Sequence, residues 1–159
     1  MTQSQSDTPD LQAMLSRIEA AFVGKLRYYD SGLHGLSHLR EVALLAGEIA
    51  AESGADVESA MVAGFLHDCG RMNDNGGNLH AIDSAKLARP LLIELFPHID
   101  TDKVCHAIST HADGLTTDDL LAGALWDADR LTLKRLGMIV REDLLSTPAA
   151  KQMLKKRIL

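Results

Sequence analysis

The residues best suited to chemistry are histidines and aspartates, and they are not spread evenly. The seven histidines are His34, His38, His67, His80, His98, His106 and His111. His67 is followed directly by Asp68, at the end of an apolar stretch and just before a polar, glycine-rich one. An ionisable pair at the end of a buried helix is costly to desolvate unless it is paired or bound to a metal. Imidazole and carboxylate together suit a borderline divalent cation. Taken alone, the pair reads equally well as a helix C-terminus at which His67 meets the dipole and Asp68 meets water. It has company, however. His34 and His38 stand at helical spacing, and Trp126-Asp127-Ala128-Asp129-Arg130-Leu131 adds two carboxylates late in the chain. Arg71, just after Asp68, and Arg130, beside Asp129, carry guanidinium forks that match phosphate oxygens, although both also read as ordinary ion-pairing surface residues.

These groups must be positioned by helices. Thr8-Pro9 reads as an N-cap followed by proline at the first helical position. Leu11, Leu15, Ile18, Phe22 and Leu26 then recur at helical spacing toward Tyr29, before a small-residue turn at Asp30-Ser31-Gly32. Ser37 is the expected cap of a second helix with Leu39, Val42, Ala46, Ile49 and Ala50 on its apolar face, and Gly54 is its stop. Asp56 caps a third helix over 57–67 that is apolar nearly all round and therefore central. Residues 73–78 are a loop by composition. Helix resumes near His80 and ends before Pro97, with Pro90 expected to break or kink it. Thr101 is the expected cap of a short helix reaching His111, and Thr117 that of a helix running through Trp126 to Leu136, stopped by Gly137. Thr147-Pro148 opens the last helix. No useful alternating β pattern, internal repeat or long linker interrupts the series, so the expectation is one all-α domain of about six to eight helices over 1–159.

With the elements in place, the ordered set His38, His67-Asp68 and an aspartate in Trp126-Asp-Ala-Asp-Arg-Leu131 resembles the H…HD…D signature of the HD-domain metal-dependent phosphohydrolase superfamily. His34-Gly-Leu-Ser-His38-Leu-Arg-Glu-Val42 resembles its first-histidine helix, Phe65-Leu-His-Asp68 its central motif, and Ala128-Asp-Arg-Leu131 its final aspartate motif. The likeness runs from about residue 30 to 140. It implies a helical bundle holding a divalent metal (Mn, Mg, Ni, Zn or Fe) and hydrolysing a small phosphate ester, with a nucleotide as the leading expectation. The implied ligands are His38, His67, Asp68 and Asp129, with Asp127 as the alternative to Asp129. His80 and His111 are candidates for a second metal, and His106 is the rival of His111. Asp68 or Asp113 is expected to accept a proton, Arg71 and Arg130 to offset phosphoryl charge, and His34, Arg71 and Asp113 to contact substrate. Two other readings stay open: a dinuclear iron oxygenase of the HD type, and a nucleotide-sensing module without turnover. The loop and the Thr110-His-Ala-Asp-Gly114 turn depart from the substrate motifs of guanosine tetraphosphate hydrolases, cyclic-diguanylate phosphodiesterases and 5′-deoxynucleotidases. The resemblance therefore implies a reaction class and no substrate.

Composition narrows the partners. The chain has 159 residues, 46% hydrophobic and 24% charged, ordinary values for a globular domain. Sixteen basic and 22 acidic side chains give a net charge of −6, which opposes a long polyanion and argues against a nucleic-acid polymer as main partner. It does not oppose a small nucleotide, because a bound metal reverses the local sign. No apolar run is long enough for a membrane span, and residues 1–9 lack an apolar signal core. Cys69 and Cys105 are too few for a disulfide framework, so a cytoplasmic setting is expected. Monomer and homodimer are both open.

Overall fold

Seven α-helices follow one another in the computed structural model, which describes residues 8–26, 33–75 and 77–158, with side chains to residue 156. They are α1 (Leu11–Phe22), α2 (Leu36–Ser53), α3 (Val57–Leu66), α4 (Leu79–Leu95), α5 (Thr101–Ser109), α6 (Leu120–Leu131) and α7 (Pro148–Ile158). Short 3-10 turns lie at Thr132–Leu136 and Glu142–Leu144, and no strand occurs among the described residues. The all-α expectation therefore holds.

α3 is the centre. Every residue from Ser59 to Leu66 is buried, as a helix apolar on all sides requires. α2 runs along it, with α1, α5 and α6 closing the other sides and α4 paired to α5. Phe22 of α1 stacks on Phe65 and Phe96, with centroids 6.1 and 5.5 Å away. The approach of α2 to α3 is near backbone contact: a Cβ on Gly64 would lie 2.8 Å from Ala43 Cα and 2.9 Å from Ala43 N. That contact sets the position of His38 relative to His67.

The helix starts differ in detail from the expectation. Asp10, Asp56, Asp100 and Asp119 are the N-caps whose carboxylates accept backbone N–H groups, rather than Thr8, Thr101 or Thr117. A carboxylate beside the first turn both accepts the free donors and meets the positive end of the dipole, so it outcompetes a nearby threonine. α2 begins at Leu36 with Gly35 as its cap, leaving Ser37 inside the helix. Pro90 sits inside a continuous α4 on its exposed side, where loss of one N–H is tolerated. α6 stops at Leu131 and tightens into a 3-10 turn before Gly137. Gly54 and Gly137 end their segments at φ 85° and 73°, as expected. α1 ends at Phe22 and turns at Gly24, at φ 75°, short of the expected end near Tyr29, and the expected turn at 30–32 lies outside the described residues.

Candidate metal centre

The carboxyl ends of α3, α5 and α6 converge on the amino ends of α2 and α4. His67 is the C-cap of α3 and Asp68 follows it, His111 lies just past α5, and Asp129 is in the last turn of α6. His38 is in the first turn of α2, and His80 in that of α4. Three helix C-termini supply partial negative charge, which favours a cation between them.

Asp68 is the hub, buried at 3% exposure. Its Oδ2 lies 3.5 Å from His38 Nε2 and 3.3 Å from His67 Nε2. Those two nitrogens are 3.2 Å apart, and Asp129 Oδ1 is 3.2 Å from the first and 3.4 Å from the second. Asp68 Oδ1 faces the other way, 3.4 Å from both His80 Nε2 and His111 Nε2, which are themselves 3.3 Å apart. Donors bound to one small divalent cation at about 2.0–2.2 Å stand roughly 3.0–3.5 Å from one another, so both groupings fit such an ion. The inner set is His38, His67, Asp68 and Asp129; the outer set is Asp68, His80 and His111. Asp68 Oδ1 is buried and makes no hydrogen bond, and the positive charge of Arg71 faces it with Nε at 3.1 Å.

The imidazoles are oriented from behind. His67 Nδ1 donates to Gly64 O at 2.6 Å, and His111 Nδ1 donates to Ile108 O at 2.7 Å, which leaves both Nε2 lone pairs facing the cluster. Burial opposes charge on His67, but the Asp68 and Asp129 carboxylates outweigh it and raise its pKa well above 6.5. Burial likewise opposes charge on Asp68 and Asp129, while His67 and the imidazole contacts hold both carboxyls well below the usual range. Burial, then the Arg71 charge, pushes His80 down to about 4, so it is neutral at physiological pH. These are groups that trade protons for a metal.

The remaining expected residues divide. Asp127 is a correction: it is not a ligand. Its Oδ1 accepts from Ser146 N, and its Oδ2 from Thr147 N and Thr147 Oγ1, each at 2.7 Å, so it anchors the start of α7. Arg130 donates from Nη1 to Leu144 O and lies 5.7 Å over the Trp126 ring, while its Nη2 is buried without a hydrogen-bond partner. His34 does not join the ligands; its Nδ1 pairs with Asp74 Oδ1 at 2.8 Å, beside the His38 ring. Asp113 is exposed on the turn after His111. His106 is exposed on α5, bordering a separate surface cavity with Arg89 and Cys105, so the geometry selects His111. Arg71 lies against Asp68 and His80. Arg135, which no sequence argument singled out, reaches Leu33 O at 2.6 Å and His38 Nδ1 at 2.7 Å. No motif marks it; the 3-10 turn after α6 brings it there.

An all-helical bundle with an imidazole–carboxylate cluster at converging helix ends defines a class of metal-binding domain. Comparison with known proteins agrees. The family model of the HD domain matches residues 35–134. The chain is 36% identical over 127 residues to Ribonuclease Y of Syntrophotalea carbinolica and 36% identical over 118 residues to Ribonuclease Y of Cutibacterium acnes. These matches cover 79% and 72% of this chain but only 23% and 20% of those proteins, so the chain spans about a quarter of the length of these curated relatives. It is also similar to the crystal structure of a predicted HD superfamily hydrolase from an uncultured Thermotogales bacterium, with TM-score 0.67, 27% identity, and coverage of 94% of this chain and 86% of that one. The chain belongs to the HD-domain family. No helix among the described residues is long and apolar enough to cross a membrane.

Proposed function

We propose that this HD-domain protein is a metal-dependent phosphohydrolase acting on a small phosphate ester of the nucleotide class. The observation that carries this reading is the Asp68 carboxylate, with His38 and His67 on one oxygen and His80 and His111 on the other. The similar Thermotogales structure, itself described as a hydrolase, supports the coarser part of it.

A divalent cation on the inner set supplies Lewis acidity toward a phosphoryl oxygen and lowers the pKa of water. The chain does the rest. His67 and His111 are held in the tautomer that presents Nε2 inward by the carbonyls of Gly64 and Ile108. With one cation on the inner set, His111 Nε2, 3.4 Å from Asp68 Oδ1 and 3.3 Å from His80 Nε2, would take the proton that the attacking water loses, a role worth roughly 10²–10⁴ in rate. Arg71, fixed against Asp68, faces the charge that develops on the phosphoryl group. The partly exposed Asp129 side chain marks the open side of the inner set.

A second reading has its own observation: the relatives named Ribonuclease Y direct attention to RNA phosphodiesters. The net charge of −6 favours short substrates over long polyanions. One experiment addresses both. Product release is followed over mononucleotides, cyclic nucleotides and short oligoribonucleotides with Mn, Mg, Ni, Zn or Fe supplied, using His67→Ala as control. Turnover of a mononucleotide that vanishes in His67→Ala is the expected result. Cleavage of oligoribonucleotides alone selects the second reading. Binding without product selects a sensing module, and dioxygen consumption with two irons bound selects the oxygenase.

A further inference from the structure

Asp68 Oδ1, His80 Nε2 and His111 Nε2 form a three-donor face, and a side chain already leans on it. Arg71 Nε is 3.1 Å from Asp68 Oδ1, and Arg71 Nη2 is 3.2 Å from His80 Nε2. The Arg71 side chain is only 9% exposed, and its Nε, like Asp68 Oδ1, is buried without a hydrogen-bond partner. The two atoms are thus paired by charge alone. The far edge of the guanidinium is occupied: Nη1 donates to Asn75 O at 2.9 Å and to Asn73 O at 3.3 Å, tying the loop after α3 to the same group. Lysine would bring the same charge but could not tie the loop as well, because it lacks the planar fork that reaches carboxylate, imidazole and carbonyls together.

We propose that Arg71 is the resident cation of the outer set. The protein takes one divalent ion tightly on His38, His67, Asp68 and Asp129, and takes a second only by displacing Arg71 and releasing the loop that Arg71 holds. The argument rests on reading the cluster as a metal centre but not on turnover. A fixed positive charge within about 4 Å of a dication, away from bulk water, strongly opposes its binding. Moving Arg71 aside also breaks its two bonds to loop carbonyls, so occupancy of the outer set and order in residues 73–75 are coupled. Arg71 therefore decides whether this chain is a one-ion or a two-ion member of its class.

The test counts Mn(II) in dialysed protein and titrates it calorimetrically, with no substrate present. Wild type is expected to hold one tight equivalent. Arg71→Met, similar in length and uncharged, should gain a second equivalent at least about tenfold tighter than in wild type, with the magnetic coupling of a Mn pair in its resonance spectrum. Arg71→Lys should stay at one, and adding His111→Ala to Arg71→Met should remove the gained ion. A second readout needs no variant: hydrogen exchange of residues 72–75 in wild type should speed up only at Mn concentrations that fill the second equivalent. Two equally tight ions in wild type, an unchanged count in Arg71→Met, or an unresponsive loop would overturn the proposal. Absence of turnover on every substrate leaves these counts untouched and sinks only the functional reading, whereas failure to take up any ion sinks the metal centre itself.

Discussion

Asp127 holds Thr147 by two bonds, accepting from its backbone N–H and from its hydroxyl at one carboxylate oxygen. Ser146 N binds the other oxygen, so one buried side chain of α6 ties down the whole start of α7. Two residues further along the same helix, Asp129 turns into the metal cluster. Replacing Asp127 by Ala leaves those donors unsatisfied, a loss of about 2–4 kcal/mol. For a domain of this size that is a fall of roughly 5–15 °C in melting temperature. Metal uptake per folded molecule should persist. A loss of metal without a loss of stability would show that Asp127, not Asp129, is the ligand.

The two candidate histidines near the end of α5 separate cleanly. His111→Ala should retain the inner metal equivalent and reduce turnover by about 10²–10⁴. His106→Ala, on the exposed face of the helix, should change neither. Parallel metal counts and rates on the two variants check this, and a His106→Ala enzyme as impaired as His111→Ala would contradict it.

Gly64 couples packing to the site. An alanine there would press on the Ala43 backbone, and α3 would have to shift relative to α2. The same residue's carbonyl accepts the His67 Nδ1 proton. Gly64→Ala should therefore cost about 1–3 kcal/mol in stability and weaken metal binding as well. Calorimetric titration of the variant with Mn measures the second effect. Full affinity in a destabilised protein would mean that the ligand positions do not depend on that helix contact.

The metal-free protein should respond to pH in a direction opposite to the metal-loaded one. Burial disfavours charged His67, yet Asp68 and Asp129 raise its pKa above 6.5, so its contribution to stability is full below 6.5 and is lost as pH climbs through the raised value. Asp68 and Asp129, despite burial, are held below 3.8 by the imidazoles, so their contribution is present above 3.8 and is lost as pH falls through the lowered values. Without metal, stability should be greatest between those limits and decline on the alkaline side. With metal, binding releases the His67 proton, and stability should rise with pH over the same interval. Melting curves from about pH 5 to about pH 9, with and without chelator, distinguish the two. Rising stability with pH in the chelated sample would contradict the assignment.

The order of helices was legible because apolar spacing is a local signal. Of the acidic caps only Asp56 was legible, the carboxylates of Asp10, Asp100 and Asp119 lying one or two residues from the threonines expected there. His67-Asp68 was legible because two ionisable neighbours at the end of an apolar helix need a reason to be there. The choice between Asp127 and Asp129 was not. Both lie on α6, and what separates them is the set of free N–H groups at Ser146 and Thr147, brought alongside only by the folded chain. The surroundings of Arg130 were not legible either, since the Leu144 carbonyl on its Nη1 and the Trp126 ring beneath it come together only in the fold. Arg135 left no trace in the sequence, and Asp74, legible only as a polar loop residue within reach of substrate, gave no sign of His34, since each is defined by a partner far along the chain. Local pattern reveals which side chains can do chemistry, and long-range contacts decide which of them are free to do it.

The inner donors come from α2, the end of α3 and α6, so an ion held among them would join parts of the chain that no covalent bond brings together. It acts as a removable cross-link. An unfolded chain cannot offer that set of donors, so the free energy of ion binding is added to that of folding, by about 2.7 kcal/mol at a free concentration 100 times the Kd. With an ion bound there, the protein would be a gauge of its own surroundings: how firmly it folds would depend on which metals are at hand and how much of each is free.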